Sequence, residues 1–188
     1  MTTLVWFKRD LRVTDHAPLL SASDGPCICL YIYEPSLIEA PDHDPCHLAY
    51  VNGCLAELAV ELEALGGQLV TRVGEAVDVF ERLHTEHPFD RIVCHQETGN
   101  YLTYMRDRKV RRWSRQHGIA LREWVQDGVV RGLKSRDGWA AQWDAQMRSA
   151  IHATPQRLHP VEGLGSAGIV RAGAFGRVPH DTDGMGFG

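Results

Sequence analysis

The chain has 188 residues, 44% hydrophobic and 23% charged, which reads as one soluble globular domain of ordinary size, with or without a tail. No apolar run approaches the roughly 20 residues of a membrane span; no secretory signal is expected at the start, and the default location is the cytoplasm. A formal charge of -4 excludes a strongly basic, whole-surface footprint for nucleic acid.

In chain order, the first apolar run is Leu4–Phe7, which turns abruptly charged at Lys8, Arg9, Asp10 and Arg12. The second is Cys27–Tyr33, the third Gln68–Val73, the fourth Arg91–His95 and the fifth Ile119–Trp124. Several are apolar almost throughout, as strands buried on both faces of a parallel sheet are. Between the second and third runs, Leu48, Val51, Leu55, Leu58, Leu62 and Leu65 recur at spacings of three and four. They predict a helix of about five turns, ended by Gly66 and Gly67. A shorter helix is expected over Glu75–Thr85, with Val79, Phe80 and Leu83 inward. Another is expected from Tyr101 to Gln116, with Tyr101, Val110 and Trp113 inward. Alternation of this kind specifies a doubly wound α/β fold.

After Trp124 the pattern weakens. Gly138–Ile151 could form one more helix, with Trp139, Trp143 and Met147 at spacings of four. Residues 1–153 are read as the domain. Residues 154–188 are glycine-rich and poor in large apolar side chains, and are read as a flexible tail or linker. The five cysteines, Cys27, Cys29, Cys46, Cys54 and Cys94, are expected as reduced thiols.

Ligands of open α/β sheets bind at the carboxyl ends of the strands. Three loops qualify, after the first, second and fourth runs. Their candidate binding residues are Lys8, Arg9, Tyr33, Glu34, Gln96, Glu97, Thr98 and Asn100, a set suited to a polar, partly anionic organic ligand. A structural ion-pair network through Arg9, Asp10 and Arg12 is the competing reading. Arg106, Arg108, Lys109, Arg111, Arg112 and Arg115 crowd the third helix, with Asp107 its only acid. A solvated outer face is the plainer account and phosphate binding the sharper one. "GLGSAG" at residues 163–168 fits a dinucleotide-binding pattern but lacks the required strand before it and helix after it. "HDPCH" at residues 43–47 lacks the second thiol pair of a usual metal site, so no metal is assigned. Spacing singles out no catalytic residue.

The stretch "LVWFKRDLRVTDHAPL" resembles the opening signature of the DNA photolyase and cryptochrome family. Trp6, Phe7, Arg9, Asp10, Leu11, Arg12 and Asp15 fall in order, and Lys8 is a conservative departure. "LYIYEP", "HQETGNYLTYMRDRKVRRW" and "GVVRGLKSRDGW" resemble later family segments. The resemblance covers residues 1 to about 155. It implies a Rossmann-like five-stranded parallel sheet of order 3-2-1-4-5 that holds a light-harvesting antenna pigment. Leu102 and Thr103 occupy the positions of an Asn-Glu pair found in folate-binding relatives. That puts folate in doubt and leaves a deazaflavin, a flavin or no pigment. Family members carry a helical domain that binds FAD and docks damaged DNA; this sequence stops before it. The implied function is therefore the antenna domain of a photolyase- or cryptochrome-like flavoprotein, present as a fragment or truncated product. FAD and DNA would be held only through the helical partner. The alternatives are a stand-alone nucleotide-binding module and a non-functional truncated gene product.

Overall fold

The computed structural model describes residues 1–133, 135–170 and 175. Five parallel strands form the sheet: β1 (Thr3–Phe7), β2 (Pro26–Tyr33), β3 (Leu69–Val73), β4 (Arg91–His95) and β5 (Ala120–Trp124). Their order is β3-β2-β1-β4-β5, as the family resemblance implies. A two-residue strand, β6 (His159–Pro160), pairs in parallel with the start of β2. The helices are α1 (Ala17–Ala22), α2 (Pro35–Ile38), α3 (Pro45–Ala64), α4 (Ala76–Glu86), α5 (Tyr101–Gln116) and α6 (Trp139–Met147).

Alternation along β1 divides the core. Leu4 and Trp6 pack with Val79, Phe80 and Leu83 of α4 and with Val110 and Trp113 of α5. Val5 and Phe7 pack on the opposite face with Leu19 of α1 and with Leu48, Leu55, Leu58 and Leu62 of α3. Each face removes large apolar side chains from water at roughly 25 cal/mol per Å², which is why near-continuous apolar runs become central strands here. Gly66, in the left-handed region at φ 77°, ends the turn after α3. Tyr101, expected inward, is 71% exposed, because nine residues at 3.6 per turn place it on the opposite side of α5 from the buried Val110.

Residues 155–170, part of the stretch read as a tail, lie along the sheet. Leu158 and Leu164 are buried. The Leu158 amide donates to the Leu65 carbonyl at 2.8 Å, and its side chain sits on Gly67, where a Cβ would collide with it. Ser166, Ala167 and Gly168 all bond to Thr71 of β3. Composition understates this segment because two apolar anchors and a series of hydrogen bonds hold it. Residues 171–174 and 176–188, the rest of the expected tail, lie outside the described residues. α6 buries none of its side chains. It rests on the preceding loop through Trp139, whose indole N–H donates to the Gly128 carbonyl at 3.1 Å, and through Trp143, packed against the bare Gly128 Cα.

Candidate functional site

A cavity of about 940 Å³ opens over the carboxyl ends of β1 and β2. Phe7, Leu11, Tyr31, Leu37, Ile38, Tyr50 and Val51 give it apolar and aromatic walls. Lys8, Glu34, Glu97, Thr103 and Arg106 are its buried polar residues, while Arg9 and Asp42 stand at the exposed margin. The local chain explains the placement. β2 ends at Tyr33, Glu34 precedes α2, and Pro35 occupies the first helical turn, where its missing N–H is no loss. Asn100 caps α5, its Oδ1 accepting the Thr103 amide at 3.2 Å. Its Nδ2 donates to Asp42 at 2.8 Å across the loops.

Arg106 ties these loops together. Its Nη1 donates to Glu34 Oε1 at 2.8 Å and its Nη2 to Glu97 Oε2. Nε and Nη2 both donate to Asp107 Oδ1, at 3.1 and 3.0 Å. Burial alone would lower the Arg106 pKa, but the Glu34, Glu97 and Asp107 carboxylates overcome it and raise it. Burial raises the Glu34 pKa against the pull of Arg106. The Lys8 ammonium stands over the Trp6 ring at 4.7 Å, as does the Arg106 guanidinium, and 3.9 Å from Asp107 Oδ2. Arg131 closes the network through Asp107 Oδ2 at 3.1 Å and the Glu97 carbonyl. Arg106 thus spends its donors on protein carboxylates and works as a bracket that positions Glu34 and Glu97.

A smaller cavity of about 150 Å³ lies between the ends of β1 and β4, lined by Lys8, Arg9, Asp10, Gln96, Glu97, Thr98 and Asp127 among others. This is the topological switch point of the sheet. Beside it, Asp10 Oδ1 accepts the Lys8 amide at 2.8 Å, and Oδ2 lies 2.6 Å from His95 Nδ1 and 2.9 Å from His16 Nε2. Burial would raise the Asp10 pKa, but His16 and His95, both close against its Oδ2, hold it well below the usual carboxylate range. Burial lowers the His16 pKa, opposed by Asp10. Asp10, His16 and His95 have metal-like spacing, but the Leu19 amide donates to His16 Nδ1 at 3.0 Å. That bond uses the Nδ1 lone pair, so the ring proton sits on Nε2 and faces Asp10. A metal needs that nitrogen bare. The trio is a polar clamp joining the β1 loop, α1 and β4, with His95 hydrogen-bonded to Asp10 and His16 in close electrostatic contact with it.

Of the residues expected from sequence, Lys8, Arg9, Glu34, Glu97 and Asn100 line the larger cavity. Gln96 and Thr98 line the smaller one, with Thr98 Oγ1 donating to Asp127 at 3.0 Å. Tyr33 is buried and lines neither. Its hydroxyl donates to Asn52 Oδ1 at 2.8 Å, toward α3. Sequence reasoning missed Arg106, Asp107 and Tyr31. The signal for the first two was their spacing: with Thr103, Val110, Trp113 and Ser114 they form the inward stripe of α5, and only their charge disguised it.

A doubly wound parallel sheet with a partly polar cavity over its carboxyl ends defines an α/β domain of the Rossmann-like class. The sequence matches the DNA photolyase family model over residues 3–134, and the chain belongs to the DNA photolyase family. A deoxyribodipyrimidine photo-lyase of Synechococcus sp. is 27% identical over 168 residues, 82% of this chain and 34% of that protein. A cryptochrome DASH of Gloeobacter violaceus is 32% identical over 114 residues, 56% of this chain and 23% of that protein. The chain thus spans about a third or less of the length of these relatives. Its fold is also that of an archaeal photolyase from Sulfolobus tokodaii, solved with two FAD molecules (TM-score 0.75, 20% identity, covering 95% of this chain and 42% of that one). Among the described residues no helix is long and apolar enough to cross a membrane.

Proposed function

We propose that this chain is the pigment-holding α/β domain of a photolyase- or cryptochrome-type flavoprotein, absorbing light and passing the energy to a flavin held by a helical partner domain. The observation that carries the reading is the larger cavity, in a chain of this family. Its volume of about 940 Å³ suits a tricyclic ring with its side chain. Its walls suit a flat apolar surface and its polar residues suit a heteroatom edge. Tyr31, Tyr50 and Val51 would face the ring, while one of the two carboxylates held by Arg106, Glu34 or Glu97, would take the single ring N–H. Arg9 would meet an anionic tail. A flavin or deazaflavin supplies strong near-ultraviolet and blue absorption when bound. FAD chemistry and contact with damaged DNA would belong to the partner domain.

Equilibrium dialysis of the purified chain against riboflavin, FAD and 5-deazariboflavin tests the reading. One of them should bind with a Kd of about 10 μM or tighter and show altered fluorescence. Failure of all three, with binding of ATP or AMP instead, would replace the reading with that of a nucleotide-binding module.

A further inference from the structure

The outer face of α5 is unlike the rest of this acidic protein. At 3.6 residues per turn, Tyr101, Tyr104, Arg108, Arg112 and Arg115 fall within an arc of about 80°, opposite the buried stripe of Val110 and Ser114. All five are exposed, Tyr101 at 71% and Tyr104 at 49%. The one acid of the helix, Asp107, is buried on the other side. Among the described residues, no carboxylate lies within ion-pair distance of Arg108, Lys109, Arg112 or Arg115; Arg111, at the edge of the arc, is paired with Glu123 at 2.6 Å. A solvated helix face ordinarily mixes both signs of charge. Here cations continue in one row from two exposed aromatic rings, and the guanidinium of Arg108 lies 5.8 Å from the Tyr104 ring.

We propose that the outer face of α5 is a docking surface for single-stranded nucleic acid, independent of the pigment cavity. Arg108, Arg112 and Arg115, spread over about 10 Å of helix, meet successive phosphates, and Tyr101 and Tyr104 stack on unpaired bases. Charge complementarity selects a polyanion. The exposed tyrosines favour a strand with free base faces over a duplex, whose bases are already stacked, and over an acidic peptide, which has none.

Fluorescence anisotropy of a labelled oligothymidylate of roughly 12 nucleotides, titrated with the full chain from about 20 to 200 mM salt, tests this. Affinity should fall with salt, with a log–log slope of about -2 for three phosphates on a single strand. Arg108→Glu/Arg112→Glu/Arg115→Glu should abolish binding at about 100 mM salt. Tyr101→Ala/Tyr104→Ala should weaken it by roughly fivefold or more and leave the slope unchanged. All five positions are exposed, and thermal melts of both variants should match the parent. Absence of binding at about 20 mM salt, or undiminished binding by the triple-glutamate variant, overturns the proposal. Equal competition by polyglutamate, or tighter binding of duplex with no effect of the tyrosine changes, overturns the assignment to single strands. None of these outcomes depends on flavin binding, which is measured separately.

Discussion

Replacing Arg106 with methionine would leave Glu34, Glu97 and Asp107 buried without their common cation. Removing one partner of a buried ion pair costs about 3 to 5 kcal/mol, because the remaining charge keeps its desolvation penalty. Lys8 and Arg131 still face Asp107, and Arg9 still meets Glu97 at 3.1 Å, so Glu34 takes most of the damage. A domain of this size shifts its Tm by roughly 2 to 4 °C per kcal/mol, so the variant should melt roughly 6 to 20 °C lower. The loss should depend on pH. Burial holds the Glu34 pKa above its ordinary value even in the parent, against the pull of Arg106; without the guanidinium it rises further. A carboxyl whose folded pKa exceeds its unfolded one adds stability in acid and loses it as pH rises through the folded value. Urea melts at about pH 5 and pH 8 should therefore show the larger deficit at pH 8. A deficit under about 1 kcal/mol at pH 8, or one equal at both pH values, would refute the role of Arg106 as the buried bracket.

Arg9→Ala should cost about 1 kcal/mol of stability or less, since the Arg9 side chain is exposed and its partner Glu97 keeps Arg106. It should weaken flavin or deazaflavin binding about tenfold; fluorescence titration beside a thermal melt separates the two. Asp10→Asn should cost about 1.5 to 3 kcal/mol near neutral pH. Because the Asp10 pKa is depressed in the fold, its stabilisation is present above the ordinary carboxylate range and lost as pH falls below about 4. Urea melts should show that acid loss in the parent and much less of it in the variant. Leu158→Ala should destabilise by about 2 to 3 kcal/mol, and a melt unchanged within about 0.5 kcal/mol would show that residues 155–170 do not hold the domain.

The central strands were legible because their burial is written as apolar runs: Leu4–Phe7 became Thr3–Phe7, and Arg91–His95 kept its bounds. The loops at their carboxyl ends could be placed from the same runs. The depth of each side chain within the loops could not. Tyr31 and Tyr33 project from the same side of β2, with rings 5.0 Å apart, yet only Tyr31 lines the cavity, because Asn52 of the distant α3 draws the Tyr33 hydroxyl away. Arg106 was hidden by its neighbours: five other cations in ten residues suggest a wet face, and only register with Val110 and Trp113 shows that it points inward. The packing of residues 155–170 rests largely on backbone groups, which composition does not register.

β3 is the outermost strand on its side of the sheet. There the Thr71 amide donates to Ser166 Oγ at 2.9 Å, the Thr71 carbonyl accepts the Ala167 amide at 3.0 Å, and the Thr71 hydroxyl donates to the Gly168 carbonyl at 2.7 Å. This late segment does for the edge what a neighbouring strand would do. It occupies the backbone groups through which sheets recruit one another. A shorter version of the chain that ended near residue 155 would carry a raw β-edge on an otherwise folded body. Its characteristic failure would be concentration-dependent association through β3, so that colloidal behaviour, more than melting temperature, would report the loss.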